Sequence, residues 1–171
     1  MAGFAPLKVS WHEWERAPRK VAQNVALQLS LHIDPMNMTL TQRGLVFAFL
    51  YGGTDNISHG TIFINSVHSN DDGTIDETML RFIPEALSTI GAVSHLKIFE
   101  RALERWGSKP RKYHPRGAPE DFAAWIRDAF DPVCAEFLDL DEEAFTVRPS
   151  LATLLIDLLR QHRKEFVEIV E

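Results

Sequence analysis

A chain of 171 residues has the length of one domain, and its 45% apolar share is enough for a sizeable core, which excludes a wholly disordered polypeptide. Eighteen basic against 24 acidic residues leave a net charge of −6. That balance argues against direct nucleic-acid binding, which wants a basic surface, and permits a basic partner. Cys134 is the lone cysteine, so an intrachain disulfide and a Cys-rich zinc site are both excluded. With no apolar run long enough for a signal peptide or a membrane span, a soluble cytoplasmic protein is expected.

In chain order, Ser10-Trp11-His12-Glu13 has capping-box spacing and predicts a short helix, with a second start at Pro18. Val21, Val25 and Leu29, with Leu27, Leu31 and Ile33 filling in, carry helical periodicity up to Asp34-Pro35. Thr39 to Gln42 offers another cap. Leu45 to Leu50 is apolar all round, a buried helix or a buried strand, with helix favoured by its neighbours. Turns are expected at Gly52 to Asn56 and at Asn70 to Gly73. Between them Thr61 to Val67 is rich in β-branched residues, and propensity alone favours strand.

A helical pattern resumes near Thr74, and Pro84 either kinks it or begins the next helix. Gly91 suits the left-handed residue that ends a helix. A further helix runs from about Val93 to Trp106, with Leu96, Phe99, Leu103 and Trp106 on one face and Ala102 widening it. Two helices joined by so short a link pack closely, so Pro84 to Gly107 is expected at the centre of a helical domain. The segment 107–118 reads as an exposed basic loop. Pro119 opens a helix with Phe122, Trp125, Ile126 and Phe130 on its apolar side. Asp131-Pro132 starts another that Val133, Phe137 and Leu138 continue, and a final helix carries a stripe from Leu151 to Phe166. The expectation is an all-α fold, one compact domain of about seven to nine helices, with 1–38 as an N-terminal helical extension.

Candidate chemistry is sparse. Among the histidines (His12, His32, His59, His68, His95, His114 and His162) no two sit at i, i+3 or i, i+4, so no helix offers a two-His metal face. They read as surface or core-edge residues. The turn Asn70-Asp71-Asp72-Gly73 fails the register of a calcium loop, with His68 and Met79 where carboxylates are needed. Asp131 and Glu136 beside Cys134 oppose a thiolate, so a buried structural thiol is expected. Gly52-Gly53 lacks the Lys-Ser/Thr ending of a phosphate loop. Trp11, Trp14, Trp106 and Trp125 read as core or core-edge residues. No cofactor and no metal is expected.

Charge distribution is the unusual feature. From His95 to Arg116 there are seven basic residues and two acidic ones. From Glu120 to Glu143 there is one base, Arg127, and nine acids: Glu120, Asp121, Asp128, Asp131, Glu136, Asp139, Asp141, Glu142 and Glu143. Either two solvated faces attract one another, or the acids form a docking surface for a basic partner. Carboxylates three to five residues apart on a helix lie roughly 4.5–7.5 Å apart along its axis, comparable to steps along a nucleic-acid backbone.

Asn56 to Asn65, with Phe63, followed by Glu85-Ala86-Leu87-Ser88-Thr89-Ile90-Gly91-Ala92, resembles a bacterial family of uncharacterised domains whose best-known member is a DNA-mimic protein. The likeness runs from Thr41 to the closing helix, Leu155 to Phe166, and makes 39–171 the family-like region. Its family-motif positions are Asn56, Phe63, Asn65, Ala86, Leu87, Ile90, Gly91 and Ala92. Thr61 stands where the family pattern has Gln. The resemblance implies an all-helical fold, with Thr61 to Val67 helical against its propensity, and allows a homodimer. In the mimic member, surface carboxylates imitate phosphates and occupy the DNA site of a helix-turn-helix repressor.

The expected function is therefore a non-enzymatic protein-binding module, a DNA mimic or inhibitor engaging a basic partner such as a DNA-binding regulator through residues 120–143. The alternative is an immunity-type or regulatory binder with a mixed surface. An enzyme would need a pocket gathering His59, Asn65 and His68 with Asp71 or Asp72.

Overall fold

The computed structural model describes residues 4–52, 57–68, 77–107 and 131–171, with backbone alone for 65–68 and 77–79. Ten α-helices occupy most of that chain: α1 (Trp11–Arg16), α2 (Pro18–His32), α3 (Leu40–Gly52), α4 (His59–His68), α5 (Glu77–Thr89), α6 (Val93–Gly107), α7 (Asp131–Ala135), α8 (Leu138–Thr146), α9 (Leu151–Gln161) and α10 (Arg163–Phe166). The fold is all-α, as expected, and Thr61 to Val67 is helical within α4. The expected turns at 52–56 and 70–73, the basic loop and the helix opened by Pro119 lie in whole or in large part outside the described residues.

The middle of the molecule is α3, not the α5–α6 hairpin. The all-round apolar run Leu45, Val46, Phe47 and Ala48 is buried because α2, α5 and α9 each pack on a different side of it. Its start is a capping box: the Thr39 hydroxyl accepts from the Gln42 backbone at 3.1 Å and the Gln42 side chain accepts from the Thr39 backbone at 3.0 Å. The same device opens α1, where Ser10 and Glu13 cap each other.

Pro84 neither opens α5 nor ends it; it lies inside. An interior proline costs about 3 kcal/mol or more. Buried Phe82, Ile83 and Leu87, at roughly 1.5–3 kcal/mol each, offset it. The Arg43 Nε also donates to Glu85 Oε1 at 2.6 Å, tying α3 to α5. The helix ends in a Schellman motif: Gly91 has φ +74°, its N–H meets the Ser88 carbonyl, and the Ala92 N–H meets the Leu87 carbonyl. Only a residue tolerant of the left-handed region fits there.

Several sequence expectations shift in three dimensions. The buried face of α6 is His95, Ile98, Phe99, Ala102 and Trp106, with Leu96 and Leu103 at its edge. On α2, Val21, Val25 and Leu29 are buried but Leu27 and Leu31 are exposed. Trp14 and Trp106 are buried, whereas Trp11 is on the surface. The helix expected to run through Phe137 breaks into α7 and α8 at Glu136-Phe137. The closing helix stops at Gln161, turns through α10 and ends in a strand, β2 (Val167–Val170). β2 pairs in parallel with β1 (Leu7–Ser10), Leu7 opposite Val167 and Ser10 opposite Val170. That two-stranded ribbon fastens the N-terminal segment to the end of the chain, and Val9, Trp14 and Val167 join the same core as α3.

Candidate functional site

Three features meet where α4, α6 and α8 pack: a buried polar network, an arginine–carboxylate ladder, and a cavity at the start of α9.

The network begins with Asp141, which α8 turns inward. Its Oδ1 accepts from the backbone N–H of His59 at 3.0 Å and from His59 Nδ1 at 2.5 Å. A carboxylate only accepts, so Nδ1 carries a hydrogen. In the neutral ring Nε2 then accepts from the Tyr51 hydroxyl, 2.9 Å away. Both nitrogens of His59 are thereby engaged, and the ring is fully buried between Tyr51, Phe63, Phe99 and Phe137. Burial, aided by the nearby Asp141 charge, pushes the Tyr51 hydroxyl far above its ordinary pKa. The histidine expected at a surface or core edge is a satisfied core residue.

On the outer side of α8 the carboxylates face α6. Arg105 forks onto Asp139 at 2.6 and 2.9 Å, and Arg101 onto Glu143 at 2.9 and 2.7 Å. The pairs run in opposite directions along the two helices, so α6 and α8 are antiparallel at this contact. Arg105 also donates to the Glu136 carbonyl and lies over the Phe137 ring. The Arg105 fork holds the Asp139 carboxyl down at about 2, and Arg101 lowers that of Glu143. Glu136 is half-buried in the turn between α7 and α8. Asp131 and Glu142 are exposed and have no ion pair among the described residues. Of the nine acids in 120–143, the structure thus brings Asp139, Glu142 and Glu143 together on α8, sets Asp131 on α7 and sends Asp141 inside. Glu120, Asp121 and Asp128 lie outside the described residues.

α4 crosses α7 at Gly60, where a Cβ would come within 2.6 Å of the Cys134 Cα. Cys134 is half-buried, and its sulfur is 3.7 Å from the Thr61 hydroxyl. The side chains of Asn65 and His68, and residues Asn56, Asp71 and Asp72, lie outside the described residues. Phe63, Ala86, Leu87, Ile90 and Ala92 are buried. Among the described residues no three His, Cys, Asp or Glu side chains converge on one point, and no helix is long and apolar enough to cross a membrane.

The cavity holds about 370 Å³ between the end of α3, the end of α8 and the start of α9. His95 of α6 lines it; the side chain is 1% exposed and its Nδ1 has no hydrogen-bond partner. Burial lowers the His95 pKa, with the Ala144 carbonyl acting the other way and His59 adding to the depression. Neither buried histidine was legible as such, although His95 stands three and four residues before Ile98 and Phe99, the spacing of a core position.

Residues 44–162 match the family model of the DMP19-like proteins, well over half of the chain. The chain belongs to the DMP19-like family. The match takes in most of α3, the motif residues of α4 and α5, the ladder on α6 and α8, and all of α9. No curated protein and no solved structure matches the chain.

Proposed function

We propose that this DMP19-like chain is a non-enzymatic protein-binding module that engages a basic partner, such as a DNA-binding regulator, through the acidic surface of α7 and α8. The observation supporting this most directly is the held pair Asp139 and Glu143. They stand one helical turn apart, about 6 Å along the axis. Bidentate arginines fix both, with exposed Glu142 beside them. Carboxylates immobilised in advance lose little side-chain entropy on docking. From Asp131 to Glu143 the sequence has six acids and no base. A homodimer that extends this surface belongs to the same proposal.

The two arginines favour a second reading, a regulatory binder with a mixed surface, because they present positive charge among the acids. Charge variants separate the two. The partner is captured at low salt with the full chain, and its affinity is then measured for Glu142→Lys, Asp131→Lys and Arg101→Ala. For an acidic docking surface both lysine variants weaken binding at least about tenfold, and Arg101→Ala, which bares the Glu143 charge but frees its side chain, changes it much less than either. Weaker binding by Arg101→Ala with indifference to Glu142→Lys supports the mixed surface and overturns the first reading.

A further inference from the structure

We propose that α8 is the seat of a helix from the partner: an amphipathic helix with two apolar residues two turns apart and a Lys or Arg between them, laid along Leu138, Glu142 and Phe145. The proposal rests on the reading of α7 and α8 as a docking surface and specifies what docks there.

α8 turns its bulk away from the core. Its buried positions are Leu140 and Ala144, with Asp141 beside them, while Leu138 and Phe145 are 56% and 63% exposed. One exposed apolar side chain is ordinary on a protein surface. These two, however, share a stripe, because seven residues bring a helix back to within about 20° of its starting direction. Glu142, four residues after Leu138 and three before Phe145, completes the stripe. It is exposed and has no ion pair among the described residues. The row therefore reads apolar, negative, apolar. At its end Phe145 lines the cavity of about 370 Å³, with Ile57, Val147, Pro149 and Leu151 as further apolar wall. That volume has room for a leucine or phenylalanine side chain from the partner.

Spacing and charge choose the occupant. Leu138 and Phe145 stand about 10.5 Å apart along the axis of α8. A helix lying along α8 matches that rise with its own residues i and i+7, both on one face. An extended strand covers it in about three residues, and residues i and i+3 of a strand point to opposite faces. Between the two apolar contacts Glu142 calls for a cation, and from Asp131 to Glu143 the sequence has six acids and no base. Arg101 and Arg105 are matched by Glu143 and Asp139 on the side of α6. Arg148 stands at the cavity end, its Nη1 on the carbonyls of Phe145 and Val147, so the partner's cation belongs at Glu142. A second copy does not offer this pattern on α2: Leu27 and Leu31 are exposed there, but Val21 to Ile33 contains no Lys or Arg.

The test uses the full chain and a fluorescein-labelled, alanine-rich helical peptide of about 18 residues with Leu, Lys and Leu at i, i+4 and i+7. Two control peptides replace both leucines by Ala, or the lysine by Glu. Expected by anisotropy at ~50 mM NaCl is saturable binding of the parent peptide with Kd below about 1 mM. Removing its leucines, or Phe145→Ala in the chain, should weaken binding at least about tenfold. Glu142→Lys should reverse the preference between the lysine and glutamate peptides. Phe145 and Leu138 are exposed, so their alanine variants should keep the melting temperature of the natural chain. No saturable binding up to ~1 mM peptide, or binding indifferent to Phe145→Ala, overturns the proposal. So does a dimer in sedimentation that Phe145→Ala dissociates, which gives the face to a second copy. The same variants then go to the captured partner, whose binding all of Glu142→Lys, Asp131→Lys, Phe145→Ala and Leu138→Ala should weaken. Loss with the two lysine variants alone overturns the seated helix and leaves the acidic docking surface standing; indifference to the lysine variants overturns both.

Discussion

Asp141 satisfies two donors of one residue, the backbone N–H and the Nδ1–H of His59, in a pocket of aromatic rings. Removing it leaves both unpaired in a dry interior. Asp141→Ala should therefore destabilise the fold by roughly 2–4 kcal/mol, and Tyr51→Phe, which strips one acceptor of its partner, by about 1–3 kcal/mol. Urea unfolding checks both, and near-additive losses in the double variant would show that the three groups do not act as one network. His95 predicts a pH effect. Its folded pKa lies below its ordinary value of 6.5, so the unfolded chain takes up the proton first. The neutral ring's contribution is complete above about pH 6.5 and is lost as pH falls through the interval down to the folded value. The groups around it are His59, Tyr51 and the Ala144 carbonyl. A melting temperature that falls more steeply below pH 6.5 for the natural chain than for His95→Gln is the expected result.

Among the elements, the crossing of α4 on α7 depends on Gly60. A methyl there would meet backbone, Cys134 Cα at 2.6 Å and Val133 carbonyl oxygen at 3.1 Å, not a side chain that can swing away. Gly60→Ala should cost about 1–3 kcal/mol, read by thermal or urea unfolding; an unchanged midpoint would mean that α7 moves aside freely. Element type followed local signals closely where caps and breakers were explicit. Ser10 with Glu13, Thr39 with Gln42, Asp34-Pro35 and Gly91 all mark real boundaries. It failed where neighbours decide. Pro84 stays inside α5 because Phe82, Ile83 and Leu87 are buried on both sides of it. β1 and β2 escaped notice because each is four residues long and neither forms without the other, more than 150 positions away.

For the whole molecule, the proposal of an acidic docking surface predicts a salt response. Affinity for a basic partner should fall at least about tenfold between roughly 50 and 300 mM NaCl, since exposed charges more than a few ångströms apart are screened over that range. Affinity indifferent to salt would count against it. The part of the candidate site open to sequence reading was the charge pattern, because net charge over 131–143 is a sum that needs no coordinates. Direction was not open to it. Asp139, Asp141 and Glu143 are equivalent in a list of carboxylates, yet helical rotation puts two against the arginines of α6 and one against His59. By itself the sequence determined the helical class, the family-like core and most helix ends, because periodicity and caps are local. Only the tertiary structure decided that α3 is the centre, that His59 and His95 are interior, and that α8 has an inner and an outer set of acids. Each of those depends on which face meets which neighbour, and that is set by packing between residues far apart in the chain.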